Sequence, residues 1–287
     1  MYIIADSGST KTEWCLTGEN GQYEIYRTSG INPVFHTRQD MVEVLQGELA
    51  IRPVQVDCIY FYGAGCAFED RNKSVEAALT ECFGKTRIEV KSDLWGAARA
   101  LCGDRAGIVC ILGTGSNSCY YDGIRIVENV PPLGYILGDE CSGAVLGRKL
   151  LADVLKGILP EKIRKLFFAE YPFSYAEWVD RVYRRSFPNR FLAGLCEFLY
   201  RYREFPEIER MVRSSIEEFI VRNVLRYETA YSYPVHFTGS VAYYFREQVE
   251  EVLREYRLQP GEFIRKPLEG LIRYHRDRAS NTVLREG

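Results

Sequence analysis

The sequence predicts an α/β protein of two mixed-sheet units, the second interrupted by a large helical insertion. Three observations lead there. Short β-rich runs alternate with helical ones up to about residue 100, the same grammar restarts at Gly107, and residues 145–229 read as almost wholly helical. The 287 residues, 46% of them apolar, suffice for two domains, expected over 1–105 and 106–287, with the last helix free to pack back on the first.

In chain order, Tyr2–Ala5, Glu13–Leu16 and Tyr23–Arg27 read as strands and Arg38–Leu49 as a helix. Cys58–Tyr62 is the next strand, Asp70–Phe83 the next helix, Arg87–Val90 a further strand, and Leu94 opens a helix. Three consecutive strands followed by strand and helix alternation suit a mixed sheet with helices on its faces. Beyond Gly107, Ile108–Leu112 is a buried strand, Asn117–Tyr121 and Ile124–Val127 form a hairpin around Asp122-Gly123, and a helix begins near Asp139. In "FLAGLCEFLYRYREF" and "EIERMVRSSIEEFIVRNVLRYE" apolar residues recur at three and four spacing, which makes the insertion helical. Strands return at Pro234–Phe237 and Glu262–Ile264. With no low-complexity linker, the boundary near residue 105 is expected to be a hinge inside a compact molecule.

Composition excludes several classes. Thirty-seven Lys and Arg against 39 Asp and Glu leave a net charge of −2, with no basic run to follow a phosphate backbone, so nucleic acid is not an expected partner. Nine cysteines, none in a C-x-x-C pair, argue against metal or iron–sulfur ligation and for a reducing, cytoplasmic setting. Cys58, Cys110 and Cys119 lie in apolar runs, where a thiol packs as a small hydrophobe. Without a basic-then-apolar leader or a window of roughly 18 apolar residues, a soluble intracellular protein with no membrane contact is expected. His36, His236 and His275 lack the companions of a Ser/His/Asp triad and read as structural.

In "YIIADSGSTKTEW", residues 2–14, a strand ends on Asp6 and turns at once through Ser7, Gly8, Ser9 and Thr10. Such a turn presents several backbone N–H groups in an anion-binding concavity, to which Ser9, Thr10 and Thr12 add hydroxyls and Lys11 adds charge. An acid just before a phosphate site fits when a Mg²⁺ ion, held through water, lies between carboxylate and phosphates. Taken alone, the stretch reads equally well as an ordinary hairpin turn. The pattern recurs in "IVCILGTGSNSCYYDG", residues 108–123, with Gly113, Thr114, Gly115 and Ser116 in the turn. Two such units suggest a duplicated domain with a phosphate chain clamped between two hairpins. Neither is a Walker loop or a Rossmann fingerprint, since G-x-x-x-x-G-K is absent and each turn leads to a strand.

Three further stretches carry candidates. In "VKSDLWGAARAL", Asp93 stands where a strand hands over to a helix, either as its N-cap or as a general base for a sugar hydroxyl attacking a phosphoryl group. In "PPLGYILGDECSGAVLGRKLL", Asp139 either caps the following helix or accepts hydrogen bonds from a hydroxyl-rich ligand, and its flanking glycines favour close approach. In "PVHFTGSVAYYF", Gly239 and Ser240 form a tight strand-to-helix turn on which a base or ribose can also rest.

With those residues in order, the chain resembles the N-acetylglucosamine kinase family, grouped with the BadF/BadG/BcrA/BcrD-type ATPases in the actin, hexokinase and heat-shock-chaperone superfold. The likeness rests on "ADSGSTKT", "SGIN", "SDLWGAARAL", "ILGTGSNS", "GYILGDECSG", "FTGSVA" and "KPLEGL", seven motifs in the family's order over nearly the whole length. The resemblance implies two actin-like, ribonuclease H-like ATPase domains with a cleft between them, and ATP and Mg²⁺ as cofactors. It makes Asp6 to Thr12 the first phosphate loop, with Thr10 on the nucleotide, and Gly113, Thr114 and Gly115 the second, with Gly239 in the adenosine region. It places Asn32, Ser116, Asn117, Gly134 and Asp139 at the sugar, Asp93 as catalytic base, and Asp6 near the metal. Where relatives carry Gly-Gly-Trp-Gly, this chain has Pro131-Pro132-Leu133-Gly134, a departure that bears on the identity of the sugar.

The expected function is therefore an ATP-dependent kinase for N-acetylglucosamine or a related amino sugar, acting on small molecules, with a homodimer left open. An ATPase of the acyl-CoA reductase activator type is the alternative within the same broad family, though it requires cysteines for an iron–sulfur cluster. A sugar sensor without transfer activity is the non-enzymatic alternative, which the Asp6 and Asp93 pair disfavours.

Overall fold

The computed structural model describes residues 1–8, 10–18, 22–51 and 56–286, with side chains of the last helix as far as Arg278. The chain forms two units, Met1–Arg105 together with the chain from Lys266 onward, and Ala106–Arg265.

The first unit contains β1 (Tyr2–Ser7), β2 (Lys11–Thr17), β3 (Tyr23–Ser29), α1 (Arg38–Glu48), β4 (Cys58–Gly63), α2 (Glu69–Phe83), β5 (Arg87–Ser92) and α3 (Asp93–Cys102). Its sheet runs in the order β3-β2-β1-β4-β5. The hairpin strands pair antiparallel, whereas β1, β4 and β5 are parallel. Ile3, Ala5, Trp14, Ile59 and Phe61 from the sheet are buried with Met41, Val42, Val75 and Leu79 from α1 and α2. Thr37 and Asp40 form a reciprocal capping box that fixes where α1 starts.

The second unit contains β6 (Gly107–Leu112), β7 (Ser116–Tyr121), β8 (Ile126–Glu128), α4 (Gly134–Leu137), α5 (Gly143–Leu155), α6 (Glu161–Glu170), α7 (Tyr175–Tyr183), α8 (Pro188–Gly194), α9 (Cys196–Arg201), α10 (Pro206–Arg222), β9 (Val235–Thr238), α11 (Ser240–Tyr244), α12 (Arg246–Glu255) and β10 (Pro260–Ile264). The sheet order, β10-β9-β6-β7-β8, repeats that of the first unit strand for strand when read from the other end. The alternation of parallel and antiparallel pairing is also the same. Helices α5 to α10 form the expected insertion, in whose aromatic core Phe167 stacks on Trp178 and meets Phe198 edge-to-face. The last helix, α13 (Leu268–Glu286), belongs to the first unit, so the expected stretch 106–287 divides at Lys266.

Two local expectations need correction. The helix expected near Asp139 starts at Gly143, because Asp139 and Cys141 adopt left-handed backbone (φ 53° and 58°) that a helix cannot contain. Its cap is Ser142, whose hydroxyl accepts from the Val145 amide at 3.2 Å. Likewise α3 begins at Asp93 itself, and Ser92 occupies the cap position without a side-chain hydrogen bond. Neither aspartate is an N-cap.

Candidate active site

In the first unit Ser7 stands opposite Gly63, and Gly63 opposite Ser92. The C-terminal ends of β1, β4 and β5 therefore line up, at the edge where open α/β sheets place ligands. From it leave the Gly8 turn, the loop after Gly63, and α3 with Asp93 at its first position.

The Gly8 amide donates to the Lys11 carbonyl at 3.0 Å, which closes the turn and leaves Gly8, Thr10 and Lys11 exposed. Ser9 lies outside the described residues. Thr12 departs from the expected pattern because its side chain points inward. Its buried hydroxyl shares hydrogen bonds with Ser7 Oγ (2.7 Å), the Ser29 carbonyl (3.2 Å) and the Ile31 amide (3.3 Å). The pleat explains this, since an exposed Lys11 puts the next side chain on the opposite face. The Thr12 hydroxyl is thus a strut tying the turn to the segment of Asn32.

Asp6 pairs across the hairpin with Glu13. Among the described residues none donates a hydrogen bond to its half-buried carboxylate. Burial first, then the charges of Asp93 and Glu13, raise its pKa to about 7 against the pull of Lys266 and Lys11. Burial also raises Asp93, whose Oδ1 accepts from the Leu94 amide at 2.9 Å. A buried acid whose charge is disfavoured by a neighbouring carboxylate makes a place suited to a cation. Glu13 differs, because although burial opposes its charge, Lys266 (2.6 Å) and Arg27 (3.0 Å) hold it below the usual carboxylate range.

Asn32 is buried, its Oδ1 accepting from the Val34 amide at 2.9 Å and its own amide donating to His36 Nδ1 at 3.3 Å. Gly65 (φ 85°) crosses so near that a Cβ there would lie 2.3 Å from Asn32 Oδ1. The same loop carries Cys66, whose buried thiol feels the charge of Asp93. Asn32 and Asp93 are thus linked through the 63–66 loop.

In the second unit β6 and β9 run parallel, with Ile111 opposite Thr238, and end together. Gly239 (φ 109°) then lies against the GTGS turn, where a Cβ would fall 2.3 Å from the Leu112 carbonyl oxygen. Inside that turn the Gly113 amide donates to the Gly115 carbonyl (2.9 Å), while the Gly143 and Ala144 amides of α5 donate to the carbonyls of Gly113 (2.8 Å) and Thr114 (3.1 Å).

The buried Asp139 carboxylate accepts from the amides of Ser116 and Gly134, and burial followed by the charge of Glu140 raises its pKa to about 6. Gly115 must be glycine for this, since a Cβ there would lie 2.9 Å from Asp139 Oδ2. The Asp139 amide in turn donates to the Pro132 carbonyl at 2.9 Å, so the Pro-Pro-Leu-Gly segment packs directly on this turn, with Leu133 exposed. Asn117 Oδ1 accepts from the Ser118 amide (2.9 Å) and from Asn129 Nδ2 (2.9 Å).

Glu13, Lys266, Arg222 and Asn223 carried no role in the sequence reading, and Glu140 was read only as favouring the positive end of the following helix. Lys266 opens "KPLEGL" and Glu140 stands in "GYILGDECSG", whereas Arg222 and Asn223 fall in an ordinary amphipathic pattern. The histidines make structural contacts: His36 and His236 brace backbone amides, and His275 meets Tyr62 Oη at 2.8 Å. None of the nine cysteines is in a disulfide, and among the described residues no group of three or more His, Cys, Asp and Glu side chains is placed to hold a metal ion. No helix among them is long and apolar enough to cross a membrane.

No family profile and no curated protein matches the chain. Solved structures do. A "putative N-acetylglucosamine kinase" from Porphyromonas gingivalis is 45% identical over 96% of this chain and 99% of that one, with a TM-score of 0.93. A second protein so described, from Chromobacterium violaceum, shares the fold at 18% identity and a TM-score of 0.74, covering 95% of this chain and 98% of its own. A ROK family glucokinase from Streptomyces griseus, in complex with glucose and AMPPNP, shares it at 13% identity and a TM-score of 0.55, over 95% and 97%. The fold and the solved structures it matches make the chain an ATP-dependent carbohydrate kinase on the actin-like ATPase fold. Within that class the chain belongs to the N-acetylglucosamine kinase family.

Proposed function

We propose that the chain transfers the γ-phosphoryl group of ATP to a hydroxyl of an amino sugar, N-acetylglucosamine or a close derivative, in the cytoplasm. The observation that carries this reading is the pair of carboxylates Asp6 and Asp93 at the aligned strand ends, where the charge of Asp93 disfavours that of Asp6. Asp93 accepts the proton of the attacking hydroxyl, and its raised affinity for protons brings it nearer the working pH of a general base. The Leu94 amide fixes the orientation of its carboxylate. Asn32 and Asp139 hold the sugar, the carboxylate accepting from neighbouring hydroxyls. The exposed groups at Gly8, Thr10 and Lys11 and the GTGS turn serve the phosphates, and Gly239 leaves room for the adenosine.

The donor set fits a Mg²⁺ ion held by Asp6 through water, since among the described residues no hydrogen bond satisfies that carboxylate. Bound there, Mg²⁺ supplies neutralisation of the β- and γ-phosphate charge. The test is ADP release in a coupled assay over a panel of amino sugars, their N-acyl derivatives and plain hexoses. N-acyl glucosamines are expected to give the highest kcat/KM; no stimulation by any amino sugar over the rate with ATP alone would overturn the reading.

A further inference from the structure

We infer that Glu140, gripped by Arg222 and Asn223 at the end of α10, is a positioning residue for Asp139. Glu140 is buried, yet both of its oxygens have partners: Oε1 accepts from Arg222 Nε at 2.6 Å and Oε2 from Asn223 Nδ2 at 3.1 Å. The residues on either side, Asp139 and Cys141, are both left-handed (φ 53° and 58°), a conformation that non-glycine residues seldom adopt without being held. The grip comes from a helix end 83 residues further along the chain, so it is a tertiary device and not local turn chemistry. It is also oriented sensibly, because a carboxylate at a helix C-terminus is unfavourable unless cations and donors offset it, and Arg222 lies in the last turn of α10. Swinging Glu140 away would carry the adjoining Asp139 carboxylate off the amides of Ser116 and Gly134. A tether that merely anchored α10 would affect stability and leave sugar binding alone.

The inference rests on Asp139 holding the sugar, as proposed above. Arg222 is 56% exposed, so Arg222→Met is expected to fold. Displacing a binding carboxylate by a fraction of an ångström should raise the KM for N-acetylglucosamine about 10- to 100-fold, with the KM for ATP and kcat each within about threefold of wild type. Arg222→Lys should restore most of the loss, and Asn223→Ala should act in the same direction as Arg222→Met. In an Asp139→Asn background, Arg222→Met should add nothing to the sugar KM. An unchanged sugar KM in Arg222→Met, or a fully additive effect in the double variant, would overturn the inference while leaving the kinase reading intact. A wild-type protein that phosphorylates no amino sugar would overturn both.

Discussion

Asp139 is a carboxylate that the fold holds at a disadvantage. Its pKa rises on folding from 3.8 to about 6, so between those values the folded chain binds more protons than the unfolded one and stability falls as pH rises. Below about pH 4 the penalty is absent, and above about pH 6 it is complete. At 1.36 kcal/mol per unit its ceiling is about 3 kcal/mol, less whatever screening and the unfolded state remove. Asp139→Asn should therefore melt with wild type near pH 4 and a few degrees higher near pH 7.5, while its sugar KM rises. A melting difference that does not change with pH would contradict this. Thr12 presents the opposite case, a hydroxyl the structure needs. Thr12→Val removes the Thr12 hydrogen bonds while Ser7 Oγ and the Ile31 backbone still pair with each other, so a cost of about 0.5–1.5 kcal/mol is expected, read by denaturant unfolding. Asp6 and Asp93 were legible because an acid beside a Gly/Ser/Thr turn or at a strand-to-helix junction has few ordinary uses. The inward turn of Thr12 was not, because β2 is covered on both faces and its pattern does not alternate.

At the level of elements, the site depends on turns pressed against one another. Gly239 meets the end of β6 so closely that Gly239→Ala must displace the Leu112 carbonyl and also strain a backbone at φ 109°. A loss of about 2–4 kcal/mol is expected, with nucleotide affinity reduced; a variant that melts with wild type would show that the two turns do not touch. The turn positions were legible, since Gly-Thr-Gly-Ser and Thr-Gly-Ser each follow a strand. The start of α5 was not. A Gly-Asp-Glu run before an amphipathic stretch looks like a helix entry, and only the left-handed Asp139 and Cys141 delay the helix to Gly143.

For the molecule as a whole, the repeated sheet order records a duplication already visible as two strand, turn, strand units. The placement of α13 was less legible, because an amphipathic helix declares that one face is buried and not which unit buries it. In the structure Gly270 lies against Ala100 of α3, where a Cβ would sit 2.5 Å from the Ala100 carbonyl oxygen, and Lys266 reaches Glu13 across 253 residues. A chain ending at Arg265 should lose amide-exchange protection throughout the first-unit sheet and keep it in the second; unchanged protection in both would refute that assignment. The central claim, a sugar kinase with Asp93 as its base, is tested most directly by the turnover of Asp93→Asn with N-acetylglucosamine. Loss of a general base should lower kcat about 10² to 10⁴-fold, with nucleotide affinity and melting temperature unchanged, since asparagine fills the first helical position equally well. Wild-type kcat in that variant would contradict the mechanism.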